Sequence, residues 1–226
     1  DMIFITGDTH VPIDISKLNK KNFNDSNLTK DDYLIICGDV GLTWFGRDNE
    51  DEWWQKWLNK KNFTTLFIDG NHENHNKLDE MPVEIWNGGK VHKLKDSVYH
   101  LMRGQVFKID GLKFFTMGGA ESTDKEYRKE NVSWWAREMP SDEEYQEGLM
   151  NLDKHNWEVD YVITHAAPDN IQYRLCPWYK HNKLSNFLFT IDKDLKFKHW
   201  YFGHYHDDRQ IDDEHTLVFN NIIRIK

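Results

Sequence analysis

Short apolar runs that stop abruptly at a polar residue punctuate this chain. Five of them end in residues able to ligate a metal. MIFITGD-T-H reaches Asp8 and His10, YLIICGD reaches Asp39, TLFIDGNH reaches Asn71 and His72, YVITH reaches His165, and WYFGHYH reaches His204 and His206. Their β-branched and aromatic content predicts strands over residues 2–7, 33–37, 64–69, 158–164 and 199–203. Uninterrupted apolar runs suit strands buried on both faces, as in a parallel sheet covered by helices. In such sheets ligands bind beyond the carboxyl ends of the strands, so the five strand ends are expected to converge on one crevice.

The intervening pattern is less regular. Residues 14–32 and 50–61 read as amphipathic or mixed crossovers. Trp53, Trp54 and Trp57 fall at helical i, i+1, i+4 spacing, which predicts core packing. Residues 98–117 read as a hairpin in which Asp110-Gly111 forms a type I′ turn. Ser141-Asp142-Glu143-Glu144 is a capping box that opens a helix to about residue 154. A second helix is expected over 183–195, and closing strands over 216–225. No repeat or low-complexity segment appears. The pattern predicts an α/β protein of two mixed β-sheets packed as a sandwich flanked by helices, one domain over residues 1–226.

Composition narrows the partners. The 226 residues carry a net charge of −9, which argues against dedicated duplex DNA binding. Two cysteines give no disulfide framework and suit a reducing, cytoplasmic location. No run approaches 18 apolar residues, so no membrane span is expected. No signal-peptide pattern precedes the first strand, and Met2 reads as the natural start behind an added Asp1.

The chemistry follows from the ligand types. Asp8 and His10, and again His204 and His206, stand at i and i+2, which in an extended segment places both side chains on one face. Asp39 has two carboxylate oxygens and can bridge two cations. Asn71 offers a neutral carbonyl oxygen. The expected division is Asp8, His10, Asp39 and His206 around one ion, and Asp39, Asn71, His165 and His204 around the other. Two divalent ions over two carboxylates leave the pocket positive, which favours a phosphate. Two such ions ~3.5–4 Å apart clamp the attacking and leaving oxygens of an in-line displacement. Nitrogen and oxygen donors without thiolate favour Mn²⁺, with Fe, Zn²⁺ or Ni²⁺ as alternatives, over Ca²⁺. The remaining histidines, 75, 92, 100, 155, 181, 199 and 215, lack this context and are expected to be structural or solvated.

The ordered set Asp8-Thr9-His10, Gly38-Asp39, Gly70-Asn71-His72-Glu73, His165 and Gly203-His204-Tyr205-His206 resembles the calcineurin-like metallophosphoesterase superfamily. The resemblance spans residues 3–206 and implies a two-sheet α/β sandwich with a di-metal phosphoester hydrolase site. The chain departs from the Ser/Thr protein phosphatase branch, which carries Asp-Arg shortly after Gly-Asp, where Val40-Gly41-Leu42-Thr43 stand here. It departs from the double-strand-break nuclease branch at Leu42, where that branch has His. Gly118-Gly119-Ala120-Glu121-Ser122, with Lys125 and Tyr127-Arg128-Lys129, is similar to a segment of RNA lariat debranching enzymes. Several members of that branch replace the first motif's Asp with Cys, whereas Asp8 is present here.

Within this resemblance His72 is expected to be the catalytic residue, as general acid to the leaving oxygen or as a donor to phosphate. Glu73 is expected to support the ligands rather than join them. Substrate selection is assigned to the polar loop 118–137, where Lys125 and Arg128 offer donors to phosphate away from the metals and Trp134 or Trp135 offers a face for a base. Arg174 is a further cation that could cover the crevice. The expected function is a phosphodiesterase acting on nucleotides or small nucleic-acid-derived substrates. A phosphomonoesterase is the alternative, and a binding or scaffolding module without catalysis the third reading.

Overall fold

Strands β1 (Ile3–Thr6), β2 (Tyr33–Ile36) and β3 (Thr64–Phe67) pair in parallel and in register, Ile3 beside Tyr33 and Tyr33 beside Thr64. The computed structural model describes residues 1–44 and 48–226. Helix α1 (Asp48–Asn59) returns the chain between β2 and β3, and the short α2 (His75–Glu80) follows β3. Strands β4 (Val83–Trp86), β5 (Gly89–Lys95) and β6 (Val98–Leu101) complete one side of this sheet, β6 lying parallel to β3. A second sheet is built from β7 (Gln105–Ile109), β8 (Leu112–Met117), β9 (Tyr161–Thr164), β10 (His199–Phe202), β11 (Arg209–Gln210) and β12 (His215–Leu217). Strand β13 (Ile223–Arg224) returns to pair antiparallel with β1. The sheet orders are β13-β1-β2-β3-β6-β5-β4 and β11-β12-β10-β9-β8-β7.

Side-chain alternation makes the layers. Ile3, Ile5, Ile35 and Leu66 of the first sheet meet Phe107, Phe114, Ile163 and Tyr201 of the second in a core between the sheets. Neighbours of opposite phase, Leu34, Ile36 and Phe67, pack outward with Leu58 of α1 and Phe63. Val162, Trp200 and Phe202 of the second sheet pack outward against α3 (Asp142–Lys154), α4 (Asp169–Leu175) and α5 (Lys183–Asp194). Burying both faces is what the uninterrupted apolar runs required. The Ser141–Glu144 capping box is present, and Asn182 with Ser185 forms a second one at the start of α5.

The structure differs from the sequence expectation in several places. Residues 98–117 are not one hairpin. β7 and β8 pair around Asp110 and Gly111, whose positive φ values of 50° and 81° fit a type I′ turn, but β6 belongs to the other sheet. The chain changes sheet through Gly104, at φ 73°, where a Cβ would press on the backbone of α3. Residues 14–32 hold one 3-10 turn, Asp14–Leu18, rather than a crossover helix. The hairpin β4–β5 around Asn87-Gly88, both at positive φ, lies outside the sequence expectation, although Asn-Gly is as strong a turn signal as Asp110-Gly111. Trp53 is exposed, while Trp54 and Trp57 pack beside the core.

Behind the loop that follows β3 lies a buried polar network. Asp69 accepts from Arg103 Nε at 2.9 Å and Nη2 at 2.7 Å, and contacts His100 Nε2 at 2.8 Å. His92 and His100 stack with their Nδ1 atoms 2.9 Å apart, so one of the two donates to the other. Arg103 also reaches Glu144, tying this loop to the capped end of α3. Among these groups His75 is buried, with no hydrogen-bond partner for Nε2. Burial and the Arg103 charge hold it down at about 3, against 6.5 for a free imidazole.

A pH dependence of stability follows. Above pH 6.5 folded and unfolded states both carry neutral His75, so no penalty applies. Below it the unfolded chain binds a proton that the folded state refuses, and stability falls by up to about 1.4 kcal/mol per pH unit. Urea unfolding at pH 7 and pH 5 should therefore show a smaller loss for His75→Gln than for wild type, and equal losses would contradict the assignment.

Candidate metal centre

The carboxyl ends of β1, β2 and β3 and those of β9 and β10 open onto the same edge of the sandwich, as the parallel pairings require. Backbone bonds lock the loops together there. Thr9 N and His10 N donate to the Asp39 carbonyl at 3.2 and 2.9 Å, Gly203 N donates to the His165 carbonyl, and His204 N donates to Asp8 Oδ1 at 3.1 Å. A Cβ on Gly38 would collide with the His165 ring, and one on Gly70 with the Asp39 carboxylate. These two positions therefore admit only glycine if the ligands are to approach. His10, Asp39, His204 and His206 have φ values of 34°, 50°, 76° and 50°. Each such residue costs of order 1–3 kcal/mol, and strain of this kind collects at functional sites.

The side chains sort into two groups that share Asp39. Asp8, His10, Asp39 and His206 present one donor atom each within 4.8 Å of one another, and so do Asp39, His165 and His204. His10 Nε2 lies 3.4 Å from Asp8 Oδ2 and 3.3 Å from Asp39 Oδ2, and His206 Nε2 lies 3.2 Å from Asp8 Oδ2. His165 Nε2 stands 3.3 Å from both Asp39 Oδ1 and Asn71 Oδ1. The structure thus brings all seven residues singled out in the sequence to one place, in the division expected from it.

The surroundings orient these donors. His10 directs Nδ1 to Asp14 at 2.7 Å and His165 directs Nδ1 to the Cys37 carbonyl at 2.6 Å, which leaves each Nε2 facing the centre. Asn71 Nδ2 donates to Ser122 Oγ, whose hydroxyl donates to buried Glu138, so the amide oxygen points inward. Glu73 accepts from Val40 N, Gly41 N and Gly70 N and so joins the loops after β2 and β3 without entering the donor set. Lys17 donates to the carbonyls of Gly7, Asp8 and Phe219, which holds the first loop against the last.

The electrostatics of the cluster favour a cation. Burial alone would lower His10 and His165, but the charges of Asp39 and Asp8 raise them to about 9 and about 10. Burial would raise Asp39, and His165, His10 and His72 outweigh it and hold the carboxyl well below its usual range. His204 is pushed down to about 4 by burial and by His165. Asp8 Oδ2 is fully buried and has no hydrogen-bond partner. Buried polar atoms are almost always paired, so an orphaned carboxylate oxygen facing two imidazole nitrogens fits a cation.

The other expected residues fall as follows. His72 takes Asp39 on both its backbone N, 2.7 Å from Oδ1, and its ring Nδ1, 2.8 Å from Oδ2. Its Nε2 lies 3.1 Å from Arg128 Nη2. A guanidinium only donates, so Nε2 accepts here and the ring proton sits on Nδ1. Arg128 is braced by Asp124 and the Ser133 carbonyl and lies over Trp44. It therefore stands at the centre, not out along the loop as expected. Lys125 is paired with Glu121 and Glu138 and covers Trp134. Trp135 is fully buried against Trp44 and anchors the loop rather than offering a face. Arg174 binds Asp212 and the Ile211 carbonyl and does not cover the crevice. Trp44 and the segment around Trp178, which line cavities beside the cluster, were not found from the sequence. No linear motif connects them to the ligands.

The lariat debranching enzyme of Schizosaccharomyces pombe is 24% identical over 164 residues, covering 66% of this chain. The match spans 34% of that protein's length. The structure of a phosphopantetheinyl hydrolase from Mycobacterium tuberculosis is similar with a TM-score of 0.46 at 18% identity, over 96% of this chain and 88% of that one. The family model for calcineurin-like phosphoesterases matches residues 2–208. The protein therefore belongs to the calcineurin-like phosphoesterase family.

Proposed function

We propose that the protein is a di-metal-dependent phosphoester hydrolase that acts on diesters. The observation that carries this reading is the pair of donor groups sharing Asp39, with Asp8 Oδ2 buried and unpaired between His10 and His206. The family uses a dinuclear metal centre. Asp8, His10, Asp39 and His206 would hold one ion, and Asp39, Asn71, His165 and His204 the other. Such ions supply Lewis acidity and an activated water at neutral pH. The donor set, without thiolate, favours Mn²⁺, with Fe, Zn²⁺ and Ni²⁺ as competitors.

The chain's own residues supply the rest. Arg128 is a permanent cation beside the donor cluster and meets a phosphoryl or leaving oxygen directly. His72 is held by Asp39 and by Arg128 in one orientation. Donation from Nε2 requires that Arg128 move onto the phosphate and that His72 take up a second proton. Until then the imidazole acts as the acceptor that positions the guanidinium. Cavities of about 310 and 510 Å³ open on the two sides of the cluster. Room on both sides favours a diester, which carries two substituents, over a monoester, which carries one. The net charge of −9 disfavours long polyanionic substrates.

Three outcomes test the reading. The wild-type protein should bind two Mn²⁺ per chain by calorimetry and elemental analysis, and Asp39→Asn should weaken both sites and abolish most activity. Loss of one ion with full turnover would contradict the shared carboxylate. His72→Ala should keep its metal while kcat falls by ~10²–10⁴, less for a nitrophenol ester, whose leaving group needs no proton. An equal loss for good and poor leaving groups would limit His72 to positioning Arg128. Finally, Arg128→Ala should reduce kcat/KM for a small diester and for a nucleotide diester alike, by about tenfold or more, and the His72→Ala/Arg128→Ala double variant should lose less than the two singles combined. Additive losses would separate the two residues.

A further inference from the structure

The two cavities that flank the donor cluster differ in character. The first is walled by Val11, Ile13 and Trp44 and holds His72, Arg128 and His206. The second opens beside His204 and is lined by Thr123, Trp178, Tyr179, Lys180 and Asn182, among others. Trp178 is 82% exposed. Folding has left the largest aromatic surface in the chain's repertoire uncovered, on the wall of a cavity that reaches a ligand histidine.

The segment bearing Trp178 is tied to that histidine's loop. Gln172 Nε2 donates to the Lys180 carbonyl at 3.2 Å, and Gln172 Oε1 accepts from Tyr205 Oη at 2.8 Å. Tyr205 lies between His204 and His206 in sequence, and its ring meets Tyr179 edge-on at 5.5 Å. Cys176 N and Tyr179 N close the turn on the Gln172 and Cys176 carbonyls. An indole carried on a segment anchored in this way offers a stacking face beside the cluster.

We propose that the second cavity holds the retained arm of a phosphodiester, a nucleoside whose base stacks on Trp178, and that the first cavity holds the departing arm. This rests on the diesterase reading and assigns its substrate class and its direction of cleavage. The direction follows from position. His72 and Arg128, the two groups able to meet charge on a leaving oxygen, line the first cavity and not the second. The class follows from the wall, which sets a planar π face beside amide, hydroxyl and ammonium groups that can meet the edge of a base. Water oxygen bonds to phosphorus and the bond from phosphorus to the departing oxygen breaks. That oxygen leaves as an alcohol with a proton, and a nucleoside monophosphate remains.

The Mn²⁺-loaded wild type, Trp178→Ala and Trp178→Phe are compared on thymidine 5′-(4-nitrophenyl) phosphate and on methyl 4-nitrophenyl phosphate. Trp178→Ala should raise KM for the thymidine ester at least tenfold more than for the methyl ester, and Trp178→Phe should restore most of the ratio. Calorimetry should show thymidine 5′-monophosphate binding weakened about tenfold or more in Trp178→Ala. The methyl ester of thymidine 5′-monophosphate should yield methanol and the nucleotide. An unchanged KM ratio, unchanged nucleotide binding, or release of thymidine with methyl phosphate would each overturn the proposal. Wild-type turnover of methyl 4-nitrophenyl phosphate tests the diesterase reading by itself. Its absence would remove that reading and this proposal together, whereas its presence with an unchanged Trp178 ratio would remove only the proposal.

Discussion

The Asp39 carboxylate is the constraint around which this edge of the protein is arranged. It is fully buried, it sits on a backbone at φ 50°, and both of its oxygens face imidazole nitrogens from three different loops. A carboxylate removed from water costs several kcal/mol unless neighbouring charges and donors compensate. Here the compensation comes from His10 after β1, His72 after β3 and His165 after β9, and it is incomplete, as the orphaned oxygen of Asp8 shows. The charges of Asp39 and Asp8 draw His10 and His165 toward their protonated forms. Divalent ions would replace those protons and relieve Asp8 as well.

A second buried carboxylate, Asp69, stands two residues before Asn71 and is handled differently. Arg103 and His100 close every side of it, and Gly119 N donates to its carbonyl. Because its charge is already met, it serves as an anchor: it fixes the loop after β3 to the loop after β8 and, through Arg103 and Glu144, to the start of α3. Ser122 on that same loop after β8 then turns Asn71 inward. One anion is left open to a cation and the other is sealed, and the sealed one holds the open one's neighbours in place. The difference lies in the partner, a permanently charged guanidinium that donates twice to one oxygen of Asp69 against neutralisable imidazoles for Asp39.

How much of this the sequence disclosed depends on whether the signal was local. The candidate ligands could be picked out because each follows a strand whose apolar run marks its own end, and parallel topology carries those ends to one edge. The Asp110-Gly111 turn was legible because positive φ at both positions restricts the residues. The assignment of 98–101 to the same hairpin failed because an apolar run says nothing about which sheet it joins. That choice is made by Gly104, which passes the chain against α3, and by the pairing of Thr65 with Val98 across the first sheet. Residues 14–32 misled because apolar positions such as Ile15 and Leu18 are buried under the first sheet by a single 3-10 turn and an irregular segment, without a helix.

Arg128 shows the limit most clearly. As a basic residue in a long polar loop it was read as a distant phosphate contact, a role that needs nothing from the rest of the chain. The structure shows why its place could not be read from spacing. Trp135 buries itself against Trp44 and draws the loop down; Asp124 and the Ser133 carbonyl then aim the guanidinium at His72. The contacts with Asp124 and Ser133 are local, but those of Trp135 with Trp44 and of Arg128 with His72 are tertiary, and they decide where the loop lies. Once they are made, the cation and the imidazole form a unit with Asp39 behind it. In the proposed reading, selection of the departing group and stabilisation of its charge would be properties of the same few side chains, separate from the aromatic wall beside His204.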